Sequence, residues 1–118
     1  MLDELLHRVR GYSPRPLETE RSFPEAAVLV PITRSDEPEL VLTLRASGLS
    51  THSGEVAFPG GRRDPEDRDL VDTALREAEE EIGLPPGLVE MVGPLSSLVS
   101  RHGIQVTPYV CLLYTSPS

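Results

Sequence analysis

The stretch REAEEEIGL, residues 76–84, decides how this chain reads, because it sets glutamates at 77, 79, 80 and 81 in what the flanking pattern makes a helix. Val71, Ala74, Leu75, Ala78 and Ile82 recur at helical spacing and form one apolar stripe. At about 100° per residue, Glu77, Glu80 and Glu81 fall on a separate stripe, while Glu79 points elsewhere. The spacing therefore predicts three carboxylates converging beside the packing face. Asp67 or Asp69 can cap the start, Gly83 can end the helix, and Pro85 and Pro86 prevent its continuation.

Two readings of these acids compete. As a solvated face they are easily tolerated, since exposed like charges at this spacing cost only about 0.2–0.5 kcal/mol per pair. Partly buried and about 6 Å apart, the same carboxylates repel by roughly 3 kcal/mol per pair at an effective dielectric near ~20. Such a cluster wants a cation. All-oxygen ligands select Mg²⁺, Mn²⁺ or Ca²⁺, and Mg²⁺ with carboxylates and waters is the usual partner of phosphate chemistry.

Immediately before the helix, EVAFPGG (55–61) reads as a short strand ending in a tight turn, whose glycines either take unusual backbone angles or permit a close approach. Further out, AAVLVPIT (26–33) and ELVLTLRA (39–46) read as a hairpin through RSDEP (34–38). The first is apolar nearly throughout, as expected of a strand covered on both faces. Beyond the helix, VEMVGPLSSLVS (89–100) and IQVTPYVCLL (104–113) predict two more strands around the turn RHG (101–103). Leu2, Leu5, Leu6 and Val9 predict a short amphipathic helix over 3–11, with His7 beside its apolar face, and SPRPLETE (13–20) reads as an extended linker. Strands on both sides of one central helix indicate an α/β or α+β sandwich.

With 118 residues and 38% hydrophobic content, the chain fits one small domain: a helix and linker over 1–24, and the main body over 25–118. The formal net charge of -8 argues against nucleic acid and anionic membranes as partners. A small anionic ligand remains open if a cation neutralises it locally. Trp is absent and aromatics are 4%, so stacking surfaces are scarce. The single cysteine, Cys111, lies in the apolar run VCLL and reads as a buried core residue. No apolar run approaches the roughly 20 residues of a membrane span, and the opening MLDELLHRVR lacks the apolar block of a signal peptide, so the expectation is a cytoplasmic protein.

The glycine turn followed by the acidic helix resembles the motif of the Nudix hydrolases: Gly, five residues, Glu, seven residues, then Arg-Glu-apolar-x-Glu-Glu-x-Gly-apolar. Gly61, Arg76, Glu77, Ala78, Glu80, Glu81, Gly83 and Leu84 match it. The motif's first glutamate is answered by Asp67, with one residue more between it and the arginine. The resemblance implies a mixed β-sheet sandwiched between helices and a pyrophosphatase acting on a nucleoside diphosphate joined to another group. It implies that Glu77, Glu80 and Glu81 hold Mg²⁺ or Mn²⁺, that the Gly61 carbonyl adds a ligand, and that Arg76 pairs with a glutamate and orients it. Divalent cations suit this chemistry, since they neutralise the diphosphate and lower the pKa of an attacking water.

LVLTLRASGLSTHSGEVAFPGG (40–61) is similar to the signature of the coenzyme A pyrophosphatase group at Leu42, Thr43, Arg45, Leu49, His52, Gly54, Val56, Phe58, Pro59, Gly60 and Gly61. SRHGIQVTPYV (100–110) resembles a second segment of that group. Ala46, Ser50 and Glu55 depart from the usual Ser, Arg and Gln. The resemblance implies cleavage of coenzyme A or acyl-coenzyme A to 3′,5′-ADP and the 4′-phosphopantetheine fragment. Arg45, His52, Gly60 and Gly61 would serve the substrate, with Arg62 and Arg63 as further candidates, while His102 reads as a surface loop residue. The alternatives are another nucleoside diphosphate derivative, or a non-catalytic domain that binds nucleotide or protein through the same scaffold. The family fold runs on past the strand matched by VTPYV with more sheet and a closing helix. The expectation is therefore a domain incomplete at its C-terminus, with LYTSPS (113–118) outside the pattern, marginal stability, and weak activity or none.

Overall fold

The computed structural model describes residues 2–16, 22–44 and 56–114. In chain order these form α1 (Leu2–Arg10), β1 (Glu25–Thr33), β2 (Thr43–Leu44), β3 (Val56–Ala57), β4 (Gly60–Arg62), α2 (Leu70–Ile82), a single 3₁₀ turn (Pro86–Leu88), β5 (Val89–Pro94), β6 (Leu98–Val99) and β7 (Gln105–Leu113).

The main sheet runs β4-β1-β7-β5, with β6 also on β7. β1 and β7 are parallel along their whole length, Glu25 against Gln105 through Thr33 against Leu113, while β4, β5 and β6 pair antiparallel. The sheet is therefore mixed, and its two central strands are buried on both faces. Ala27 and Leu29 of β1 and Cys111 and Leu113 of β7 pack against Ala74 and Ala78 of α2 and against Leu84. The intervening positions Ile32, Val110 and Leu112 pack against Leu6 and Val9 of α1. The period-2 alternation of a strand thus assigns one set of side chains to each helix. Two helix layers around one sheet is the sandwich that the sequence indicated.

α2 begins where Asp69, in extended backbone, accepts the Asp72 N–H at 2.9 Å. It ends at Gly83, whose φ of 66° lies in the left-handed region that glycine favours; its N–H returns to the Glu79 carbonyl at 3.0 Å. Of the two candidate caps, Asp69 is the one used. Asp67 is buried and serves the site described below.

Three sequence expectations need correction. The hairpin of 26–33 with 39–46 forms only in part: Leu40 makes an isolated bridge with Ile32, and Val41 donates to the Pro31 carbonyl at 3.0 Å. The chain then leaves β1, and Thr43–Leu44 pairs with Val56–Ala57 instead. The reason is competition for the edge of β1, where Leu29 already donates to Pro59 (2.9 Å) and β4 occupies Ala26 to Val28. Pro31 has no N–H with which to extend the ladder. The glycines of FPGG are strand residues rather than a turn, and among the described residues positive φ occurs only at Gly83 and Gly103. At the N-terminus, α1 covers Leu2–Arg10 and leaves Leu5 exposed while Leu6 and Val9 are buried. Residues 17–20 of the linker lie outside the described residues, but Arg15 N–H and the Tyr12 hydroxyl both meet Ser96 Oγ, so the linker's first half lies against the segment after β5. No described helix is long and apolar enough to cross a membrane.

Candidate active site

The site is built where β4 runs under α2. At Gly60 and Gly61 the space that a side chain would take is already occupied. A Cβ on Gly60 would stand 2.3 Å from the Ala27 carbonyl oxygen, and one on Gly61 would stand 2.6 Å from Glu77 Cδ. Of the two roles open to these glycines in the sequence, close approach is the one realised.

Arg76 organises the acids. Its Nε donates to Asp67 Oδ1 (3.1 Å), and its Nη2 donates to Asp67 Oδ2 (3.0 Å) and to the Arg62 carbonyl (3.2 Å). Nη1 donates to Glu77 Oε1 (3.0 Å) and lies 3.5 Å from Glu80 Oε1. Each nitrogen of the guanidinium thus donates to an oxygen. The Asp67 carboxylate, only 7% exposed, also accepts from the Asp64 N–H at 2.9 Å and from the Thr73 hydroxyl at 2.8 Å. The hydrogen bonds from Arg76 hold Asp67 well below the usual carboxylate range, although burial pushes the other way. The same carboxylate raises Arg76 above its ordinary value. This pair stays charged at any ordinary pH.

Glu77 is mostly covered, at 19% exposure, whereas Glu80 stands at 59%. Glu81 takes a long bond, 3.4 Å, from the Gly60 N–H. Glu77, Glu80 and Glu81 therefore share a side of α2, as their spacing predicts. The expected convergence needs correction, since among the described residues no group of three or more metal-ligating side chains gathers around one point. The physical reason is visible: Glu77 and Glu80 share the Arg76 guanidinium, while Glu81 turns to the Gly60 amide. The donor set nevertheless fits a hard divalent cation, because every candidate ligand, carboxylate or backbone carbonyl, is an oxygen and a single arginine faces Asp67, Glu77 and Glu80 together. The Gly61 cradle fits too, for it leaves the Glu77 carboxylate directly on the β4 backbone.

Arg45 and His52, the expected substrate residues, lie outside the described residues. Arg63 is drawn into the scaffold: its guanidinium donates to the carbonyls of Asp67 (3.2 Å) and Arg68 (3.1 Å) and lies 3.5 Å from Glu25. Arg62 is exposed and contributes its carbonyl to Arg76. His102 is an exposed residue of the turn before β7. Thr73, fully buried, was not singled out by sequence. Its only signal there is a hydroxyl residue one helical turn before Arg76, next to the apolar stripe.

A mixed sheet between two helices, with an arginine-organised row of glutamates on the helix that crosses the glycine strand, defines a Nudix-type fold. The structure is similar to the NUDIX domain of Shewanella oneidensis NrtR, solved with ADP ribose, with TM-score 0.63, 22% identity and coverage of 93% of this chain and 71% of that one. It is also similar to an Ap4A hydrolase of C. elegans in a binary complex, with TM-score 0.66, 20% identity and coverage of 79% and 68%. A family model described as the NUDIX domain matches residues 23–117, and the chain belongs to the Nudix family. Among curated proteins it is 46% identical over 112 residues to the uncharacterized Nudix hydrolase NudL of Yersinia enterocolitica, covering 95% of this chain and 57% of that protein. To the protein of the same name in Yersinia pestis (strain Pestoides F) it is 53% identical over 88 residues, covering 75% and 44%. The chain thus spans about half the length of the curated relatives it matches.

Proposed function

We propose that this protein hydrolyses the diphosphate bond of coenzyme A or an acyl-coenzyme A, releasing 3′,5′-ADP and the (acyl-)4′-phosphopantetheine fragment. The observation that carries the hydrolytic reading is Arg76, pinned by Asp67 from behind and engaging Glu77 and Glu80 in front. A helix needs no such clamp for a merely solvated acidic face. The coenzyme A assignment rests on the resemblance of residues 40–61 to the signature of that pyrophosphatase group.

Glu77, Glu80 and Glu81 are the residues that would hold Mg²⁺ or Mn²⁺. When bound, such an ion supplies charge neutralisation at the diphosphate oxygens and acidifies a water. The chain's own part is placement. Asp67 fixes the guanidinium, which sets the Glu77 carboxylate over Gly61 and restrains Glu80. Glu81 faces the Gly60 amide at the end of the same strand. Arg45 and His52 would bind the substrate's anionic groups, since an arginine fork matches phosphate oxygens.

A substrate panel assayed with and without Mg²⁺ or Mn²⁺ tests the reading. Metal-dependent release of 3′,5′-ADP from coenzyme A is the expected result. Release of AMP from another nucleotide derivative, with coenzyme A untouched, would keep the hydrolytic chemistry and refute the substrate. Nucleotide binding without turnover of any substrate would refute the enzyme. Arg45→Ala is expected to raise KM for coenzyme A while leaving the metal dependence unchanged.

A further inference from the structure

We propose that Thr73 is a positioning residue for the acidic site, acting through Asp67 and Arg76. The inference rests on the metal-binding role given above to the glutamates, and it concerns how those side chains are held in place.

Asp67 replaces the glutamate of the family motif. It is one methylene shorter and sits one residue further from the arginine in sequence. A carboxylate on a shorter stem reaches the guanidinium only if its own orientation is fixed by something else. Two donors from different parts of the chain do this: the Asp64 N–H at 2.9 Å, from the loop after β4, and the Thr73 hydroxyl at 2.8 Å, from the first turns of α2. Both converge on Oδ2, which also accepts from Arg76 Nη2, while Oδ1 accepts from Arg76 Nε. Rotation about the Cβ–Cγ bond would break all of these bonds at once.

The Thr73 hydroxyl has one proton and two acceptors in reach, Asp67 Oδ2 at 2.8 Å and the Asp69 carbonyl at 3.3 Å. The shorter bond, to an ionised oxygen, is the stronger. Thr73 and Arg76 stand one helical turn apart on α2, so the helix presents hydroxyl and guanidinium together to a single carboxylate. Water does not compete, because Thr73 is fully buried and Asp67 nearly so. Removing the hydroxyl would take one of three donors from Oδ2 and leave the carboxylate held by the Asp64 N–H and Arg76 alone, free to reorient against the guanidinium. The displacement would pass through Arg76 Nη1 to Glu77 and Glu80, which are the same guanidinium's other partners.

The test compares Thr73→Val, Thr73→Ser and Thr73→Ala with the wild-type chain, first by Mn²⁺ titration followed by water-proton relaxation, then by turnover. Thr73→Val and Thr73→Ala should weaken Mn²⁺ binding by about three- to tenfold and lower kcat by at least as much, with KM for the nucleotide substrate within about twofold of wild type. Thr73→Ser, which keeps the hydroxyl, should restore both. If Thr73→Val fails to fold by circular dichroism, the Ser and Ala pair still isolates the hydroxyl. The idea is overturned if Mn²⁺ affinity and kcat are unchanged without the hydroxyl, if Ser behaves like Ala, or if the wild-type chain binds no Mn²⁺. A wild-type chain that binds Mn²⁺ but cleaves nothing would sink the proposed hydrolysis alone, and the titration would still decide Thr73.

Discussion

Gly61 and Glu77 touch across the boundary between β4 and α2: a Cβ built on the glycine would stand 2.6 Å from Glu77 Cδ and 2.8 Å from both carboxylate oxygens. The obstacle is the far end of a flexible side chain. Gly61→Ala should therefore fold, with a stability loss of about 1 kcal/mol, but swing the Glu77 carboxylate away from the strand. Hydrolysis is expected to fall by about 10–100-fold. Paired melting and turnover measurements check this, and near-normal turnover would mean that Glu77 does not act from this position.

Gly60 makes the opposite case one residue earlier. Its Cβ would meet the Ala27 carbonyl at 2.3 Å and the Val28 Cα at 2.7 Å, and backbone within a paired sheet cannot step aside. Gly60→Ala should cost about 3 kcal/mol or more. Soluble yield and urea midpoint would show it, and a midpoint equal to that of Gly61→Ala would contradict the close approach.

Glu80→Gln separates chemistry from stability. Glu80 is 59% exposed and its contact with Arg76 is long, so the exchange should move stability by no more than about 0.5 kcal/mol in either direction. Turnover should drop by about 100-fold. A folded variant within threefold of wild type would remove Glu80 from the site.

For Asp67→Asn the expectation is tied to pH. Arg76 holds the folded-state pKa of Asp67 below its unfolded value, so the stabilisation is complete above roughly pH 4 and is lost as pH falls toward the depressed folded-state pKa. The variant should be less stable by about 2–3 kcal/mol at pH 7. The gap should stay level up to pH 8 and narrow below pH 4. Urea titrations at several pH values would reveal a gap that widens with acid if the assignment were wrong.

Cys111 is fully buried between β1 and β5, and burial alone pushes its thiol up to about 12. A thiol-specific chromogenic reagent at pH 8 should not react with the native chain and should react stoichiometrically in denaturant. Fast native labelling would contradict the packing of β7.

How far the sequence could be read depended on whether the signal was local. α2 announced itself through its stripe, a cap at either Asp67 or Asp69 and its stop at Gly83, all set by near neighbours; the structure chose Asp69. The row of glutamates followed from the same 3.6-residue period. The partner of residues 39–46 did not, because pairing is decided by which segment wins the edge of β1, and Pro59 and β4 lie far along the chain. The parallel pairing of β1 with β7 was equally hidden, since two apolar runs show that each is buried but not that they lie side by side. In the site, the resemblance brought Asp67 and Arg76 to attention. The Thr73 bond stayed out of sight because a threonine near a helix start ordinarily needs no tertiary partner.

The β1 and β7 register joins residues about 80 positions apart, and it forms the middle of the sheet on which both helices rest. Closing so long a loop costs entropy before any packing returns it, so such topologies fold slowly. During synthesis, β1 and α2 must leave the ribosome and wait, with the apolar surface that β7 will cover open to solvent, until residue 113 has been added. The Asp67–Arg76 clamp is entirely local and can close early. The glutamates would then be arranged on a helix that can meet β1 and β4 but whose sheet still lacks its β7 strand, which makes this interval the one in which the nascent chain most needs protection from aggregation.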